Sequence, residues 1–304
     1  MIWRGVAKRC IRHPLEALLL GGLFGIFRVL PIEVASAFGG LLGRVIGPRL
    51  STTARAIRNL RLVFPEKAEG EYADIVLGMW ENLGRITAEF PHLKVIVAPD
   101  SGRVKVVNGE ILTALSRNGH SAILVGAHLG NWEISSALLR FSGTKIISVV
   151  REQNNPLTQK MIEYFRRAAD GEQIYKGRHG AKEALSVLRS GGLIGMLFDQ
   201  KMNDGAAIML FGHEAMTPIA PAQIALRVPC PIIPVRVERT GGVKFRITIY
   251  PPVEHPNSGD RHVDAKTIMG RLNEQLEEWV RERPEQWMWL HRRWAKETYF
   301  KAGL

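Results

Sequence analysis

The stretch Ser121-Ala-Ile-Leu-Val-Gly-Ala-His128-Leu-Gly-Asn-Trp-Glu133 sets the architecture. A short apolar run breaks off at a polar histidine, Gly130-Asn131 bends the chain, and a helical segment follows over residues 132–141. Working outward, the same grammar recurs. Strand-like runs are expected at 104–107, 122–127, 145–150, 173–175, 193–198 and 232–238, with helical stretches at 111–118, 132–141, 156–169, 181–189 and 219–228 between them. Strands alternating with helices of about ten to fifteen residues indicate an α/β fold with a mostly parallel sheet flanked by helices. Thr240-Gly241-Gly242 turns the last strand back into residues 244–250, and amphipathic helices are expected at 72–90 and 264–281. With no repeat, linker or low-complexity tract, the pattern is that of one α/β domain with helical attachments.

In a parallel sheet, ligands bind beyond the carboxyl ends of the strands. Three apolar runs end on polar residues there: His128, Arg151 and Asp199. His128 and Glu133 form an HxxxxE pattern. On one continuous helix, residues five apart sit roughly 140° out of register and cannot pair. Across a strand, turn and helix they can: Asn131 caps, and Glu133 in the first turn folds back on the imidazole, leaving its second nitrogen to take a proton from a hydroxyl. A core-edge histidine in an ordinary salt bridge is the competing reading. His255 and Asp260 repeat the spacing in a Pro/Asn/Ser/Gly loop without a preceding parallel strand, a chance match.

The 304 residues carry 41 Lys+Arg against 29 Asp+Glu, a net charge of +12, with 46% apolar residues, which excludes disorder and coiled coil for the whole chain. Cys10 and Cys230 are isolated, so neither a disulfide framework nor a zinc site is expected. Residues 1–61 hold ten Lys/Arg against Glu16 and Glu33, and also the greasiest runs, 17–27 and 34–43. Basic residues interleaved with apolar runs suit an anionic membrane surface. The run 15–27 is about 20 Å long as a helix, short of the roughly 30 Å hydrocarbon core. Residues 1–50 are therefore read as an interfacial helical segment or short anchor, and 51–304 as the remaining domain. A cleaved signal peptide ending near Ala35-Ser36-Ala37 and an ordinary core helix are the alternatives. Nucleic acid is not expected as a partner, since the charge sits with apolar runs and no DNA- or RNA-binding motif is present.

The blocks GAHLGNWE (126–133), VVREQNNP (149–156), LFDQK (197–201), TP with the following helix and PIIPV (217–235), and PEQWMWLHRRW (284–294) resemble the lauroyl/myristoyl late acyltransferases of lipid A synthesis, as do residues 79–90. The similarity covers nearly the whole chain in order. It implies a glycerolipid-acyltransferase-like sheet and transfer of a fatty acyl group from acyl carrier protein to a hydroxyl of a lipid A precursor, at the cytoplasmic face of the inner membrane. By the same resemblance His128 is the general base and Glu133 its orienting partner. Direct attack on a thioester calls for no covalent enzyme intermediate, metal or cofactor, but it does call for donors to an oxyanion. Arg151, Asn131, Asp199 and Gln200 are the candidates for that charge or for an acceptor phosphate, with strand-end salt bridging or loop capping as the plainer readings. Lys201 departs from the family's usual acidic or amide residue. Two other activities fit the same residues: transfer to another glycolipid or phospholipid, and thioester or lipid hydrolysis with His128 activating water. Trp287, Trp289 and Trp294, with His291, Arg292 and Arg293, would line a headgroup layer or pack in the core.

Overall fold

The computed structural model describes residues 11–143 and 146–304; the basic start of the chain, with Arg4, Lys8, Arg9 and Cys10, and Lys145 lie outside the described residues. The chain opens with two helices, α1 (His13–Val29) and α2 (Ile32–Ile46), followed by α3 (Thr53–Val63) and the long α4 (Glu69–Glu89). The α/β succession then runs β1 (Val104–Val107), α5 (Glu110–Arg117), β2 (Ala122–Gly126), a 3-10 helix (Trp132–Leu138), β3 (Ile146–Val150), α6 (Pro156–Ala168), β4 (Glu172–Tyr175), α7 (Arg178–Arg189) and β5 (Leu193–Leu197). A hairpin of β6 (Ala206–Leu210) and β7 (His213–Thr217) precedes α8 (Ala220–Arg227), the hairpin β8 (Ile232–Gly241) and β9 (Lys244–Ile249), the long α9 (Arg261–Glu282) and a short α10 (Lys296–Lys301).

Seven strands form one sheet in the order β1-β9-β8-β2-β5-β3-β4. The five strands from β8 to β4 are mutually parallel. β9 returns antiparallel along β8 and β1 pairs parallel with β9, so the first strand runs opposite to the series that the alternation assigned it to. The hairpin β6/β7 has no place in the alternation. Ala206, Ile208 and Leu210 point inward and Ala207 and Met209 outward, a period-two pattern that acquires its meaning from α9, the helix it packs on. Asp260 of the second HxxxxD match caps α9 through the backbone N–H groups of His262 and Val263.

Both faces of the sheet are covered. Ile123, Val125 and Ile194 pack under α3, α4, α8 and α9, whereas Leu124, Leu193 and Ile233 pack under Leu112, Ile134, Leu138 and Phe90. Strands buried on both faces are apolar at successive positions, which is why β2 reads as a continuous run.

The first two helices belong to this packed body. α2 lies along α4 at a distance that only glycine permits. A Cβ on Gly39 would sit 2.5 Å from the Gly84 carbonyl oxygen, and one on Gly84 would sit 2.1 Å from that of Gly39. Ala35 and Ser36, from the Ala-x-Ala match, are buried in this contact. α1 is held by stacking of Phe24 on Phe90 at 5.5 Å, by Arg28 donating to the Pro91 carbonyl and by His92 against the Phe27 carbonyl. The opposite faces are bare: Leu15, Leu18, Leu19, Ile26 and Val29 of α1 and Val34, Phe38, Leu41 and Val45 of α2 are exposed. No helix among the described residues is long and apolar enough to cross a membrane.

Gly84→Ala forces a methyl group into the Gly39 backbone, and overpacking of this kind should destabilise the protein by about 1–3 kcal/mol. Chemical unfolding that matches the parent within experimental error would show that the two helices are free to separate.

Candidate active site

Three adjacent parallel strands, β2, β5 and β3, deliver His128, Asp199 and Arg151 to one edge of the sheet. The pairing of β2 with β5 continues one step past the end of β5, where the Phe198 N–H donates to the Gly126 carbonyl at 3.1 Å. That step places Asp199 behind His128. The Asp199 carboxylate accepts the His128 backbone N–H at 3.0 Å, faces the imidazole Nδ1 at 2.8 Å and accepts the Trp287 indole N–H at 2.8 Å.

Asp199 is buried, and burial alone would push its carboxyl upward. The charge of His128 and the hydrogen bonds from the His128 ring, the Trp287 indole and the His128 N–H outweigh that and hold it at about 2. An ionised Asp199 fixes the proton on Nδ1, so Nε2 is left as the accepting nitrogen. The Gln200 side-chain amide lies 3.1 Å from Nε2, the arrangement in which its N–H donates to the ring. The His128 side chain is 16% exposed, enough to open this edge to a ligand while its far side stays sealed. Trp132 packs edge-on at 5.0 Å between ring centroids, and His291 stands 6.4 Å away. Desolvation and the neighbouring His128 lower the pKa of the His291 imidazole.

The turn after His128 follows the expected course, but its carboxylate does not. Gly130 has φ +57°, and a Cβ there would lie 2.5 Å from the Val237 carbonyl oxygen. The Asn131 side chain caps the 3-10 helix by accepting the Glu133 N–H at 3.2 Å. Glu133, expected on the imidazole, is instead gripped by Arg166, whose Nε and Nη2 each donate to it at 2.7 Å. Two parallel charge-assisted hydrogen bonds in a mostly buried setting claim the carboxylate, and Nδ1 is already committed to Asp199. Desolvation disfavours the Arg166 charge, but the hydrogen bonds and proximity of Glu133 more than compensate and raise its pKa.

The expectations for Asn131 and Asp199 need correction, and for Arg151 the oxyanion half of the expectation does. Asn131 is fully buried and its amide N–H is spent on Glu89 at 2.8 Å, so it cannot reach an oxyanion. Asp199 stands behind the imidazole and does not face an acceptor. Arg151 is exposed on the rim and donates to Asn154 at 3.1 Å. It lies two strands from β2, about 10 Å at the usual strand spacing. Lys176 follows β4 beside it. Desolvation lowers the Lys176 pKa, Asp199 opposes this and the like charge of Arg151 adds to it.

The pattern of strand ends does not reveal Arg166 or Trp287; Lys176, directly after the expected strand 173–175, carries that signal but is not among the candidates drawn from it. Arg166 sits in the last turn of α6 and Trp287 in the C-terminal tail, far from His128 in sequence. Of the tail's basic and aromatic residues, Trp287, Trp289, Trp294 and Arg293 are buried, while His291 and Arg292 are exposed.

The family model for bacterial lipid A biosynthesis acyltransferases matches residues 7–296. The chain belongs to that family. It is 27% identical over 260 residues to a lipid A biosynthesis myristoyltransferase of Escherichia coli (strain K12), covering 83% of this chain and 76% of that protein. To a lipid A biosynthesis lauroyltransferase of the same strain it is 24% identical over 295 residues, covering 93% of this chain and 92% of that protein. Among solved structures, the 1-acyl-sn-glycerophosphate acyltransferase PlsC of Thermotoga maritima aligns with 83% of this chain and 100% of its own, at 14% identity and a TM-score of 0.34. The mostly parallel sheet is established by the strand pairing itself. This family member is thus an acyltransferase of lipid A biosynthesis.

The depressed Asp199 value fixes a pH dependence. Its folded pKa lies below the ordinary value of about 3.9, so the associated stability is present above pH about 4 and is lost as pH falls toward 2. Urea unfolding as a function of pH should therefore lose part of its acid sensitivity in Asp199→Asn. An unchanged slope between pH 4 and 2 would show that this carboxylate carries no coupled charge.

Proposed function

We propose that this acyltransferase moves a fatty acyl group from the thioester of acyl carrier protein to a hydroxyl of a lipid A precursor, with His128 as general base. The observation that carries the reading is the His128 and Asp199 pair, which presents an accepting Nε2 at a partly open sheet edge. An alcohol is a weak nucleophile near neutral pH, and a base at hydrogen-bond distance relieves that weakness. In the reaction Nε2 takes the hydroxyl proton while the oxygen attacks the thioester carbon. The tetrahedral oxyanion collapses, the C–S bond breaks, and the imidazolium returns its proton to the departing thiolate. An ester and a free thiol result. The acceptor hydroxyl takes the place of the Gln200 amide at Nε2, and the displaced amide is then free to donate to the oxyanion.

Glu133 acts through Arg166 and Trp132, whose guanidinium and indole N–H both donate to its carboxylate, while the Trp132 ring packs against the imidazole. Arg151 and Lys176, farther along the rim, suit an acceptor phosphate better than the oxyanion because of their distance from β2. A basic rim also favours capture of an acidic carrier protein.

The exposed apolar faces of α1 and α2, with Arg12, Arg44 and Arg49 beside them, support docking on the cytoplasmic surface of the inner membrane, where a lipid acceptor is delivered. The hairpin lies in the interface with its other face already committed to the body of the protein.

Incubating the protein with acyl carrier protein thioester, with and without a lipid A precursor, tests the reaction. Acylated lipid appearing only with the acceptor supports transfer, and fatty acid released equally without it identifies a hydrolase. His128→Ala should lower transfer by roughly 10²-fold or more, in line with loss of a general base. Near-normal turnover in a folded His128→Ala protein refutes the mechanism. In flotation with vesicles containing anionic lipid, Leu18→Glu/Leu19→Glu should leave most of the protein unbound; full binding by that variant would dismiss the interfacial hairpin.

A further inference from the structure

A buried charged cluster lies behind the catalytic turn, outside the set of groups that could touch a substrate. Glu89, the last residue of α4, is fully buried, and each of its carboxylate oxygens takes two donors. Oε1 accepts the Ser36 hydroxyl at 2.7 Å and Arg239 Nη1 at 2.5 Å, while Oε2 accepts Arg239 Nη2 at 2.9 Å and the Asn131 amide at 2.8 Å. Arg239 also donates through Nε to Asn82, and the Asn82 amide donates in turn to the Gly130 carbonyl at 2.9 Å. The Gly130 N–H donates to the Gln286 carbonyl, and the Gln286 side chain is paired with the Arg239 backbone in both directions. The Gly130 N–H, the Gly130 carbonyl and the Asn131 side-chain amide are thereby tied, directly or through one side chain, to one ion pair.

We propose that Glu89 is a positioning residue for acyl transfer, its carboxylate holding the Gly130-Asn131 turn from behind so that His128 and Glu133 keep their places on either side of it. The inference rests on the reading of His128 as the base. Its physical ground is that the turn adopts a left-handed glycine conformation and a 3-10 helix in place of a full α-helix, so little in its own backbone holds it. Four donors converging on a carboxylate that water cannot reach define its position sharply, because any displacement leaves a buried donor or a buried charge unpaired. The Ser36 contact extends the same anchor to α2, so the helix that carries the exposed apolar face and the turn that carries the imidazole share one fixed point.

Exchanging charge across the 89/131 contact provides the test. Asn131→Asp sets two carboxylates against each other, Glu89→Gln sets an amide against the Asn131 amide, and the double variant restores one amide donor facing one carboxylate with the net charge unchanged. Asn131→Ser is a milder arm that keeps a capping oxygen but gives up the reach to Glu89. All variants are assayed as full-length protein for kcat, for KM of the acceptor and for the NMR resonance of the His128 Nδ1 proton that bridges to Asp199. Each single variant is expected to lower kcat about tenfold or more with acceptor KM within about twofold, and to move that resonance. The double variant is expected to recover about tenfold over Asn131→Asp and to return the resonance toward its parent position. Folded Glu89→Gln and Asn131→Ser proteins with parental kcat and an unmoved resonance would overturn the proposal, as would a double variant no better than Asn131→Asp. The resonance is independent of turnover. Full transfer by His128→Ala would therefore defeat the assignment of the base without altering what the resonance reports about the turn.

Discussion

The site depends on one backbone hydrogen bond, from Phe198 to the Gly126 carbonyl, which carries the pairing of β2 and β5 a step beyond the end of β5. Because the two strands are parallel and in register, the residues that leave them emerge side by side. One is an imidazole and the other a carboxylate that is buried, ionised and already satisfied by an indole and a backbone N–H. An ionised group in that setting is stable only while its donors stay in place, so the carboxylate sets both the tautomer and the direction of the ring. The general-base reading, the role of Gln200 and the placing of a hydroxyl all follow from that orientation.

A second carboxylate close by has a different task. Glu133 and Arg166 form a two-pronged ion pair that ties the 3-10 helix after the His128 turn to α6. Behind the turn, Glu89 and Arg239 form another such pair. Three carboxylates, Asp199, Glu133 and Glu89, thus hold the segment from His128 to Glu133, each with its own cationic or aromatic partner. Spacing along the chain could not distribute these partners, since Arg166, Asp199 and Arg239 are 33 or more residues from the groups they meet.

The N-terminal helices show how one sequence can serve two surroundings. Small residues on one side of α2, Ala35, Ser36, Gly39 and Gly40, allow close approach to α4, and large apolar residues on the other side are left bare. Composition identified the segment as greasy and basic. The two-sided division, with one face in the body of the protein and one outside it, is a property of how the helices pack.

The sequence by itself determined the α/β class, the strand that ends at His128, the bend at Gly130, the cap at Asn131 and the arrival of His128, Arg151 and Asp199 at one sheet edge. These are local or periodic features, legible because apolar runs, turn residues and helix starts obey short-range rules. Tertiary structure alone decided the rest: that Asp199 and not Glu133 holds the imidazole, that Glu133 pairs with Arg166, that Asn131 is spent on a buried carboxylate, that β1 runs against the central strands and that β6/β7 forms a hairpin on α9. Each of these is a choice among partners distant in sequence. Such a choice is made by which charges share a desolvated space, and sequence spacing carries no record of that.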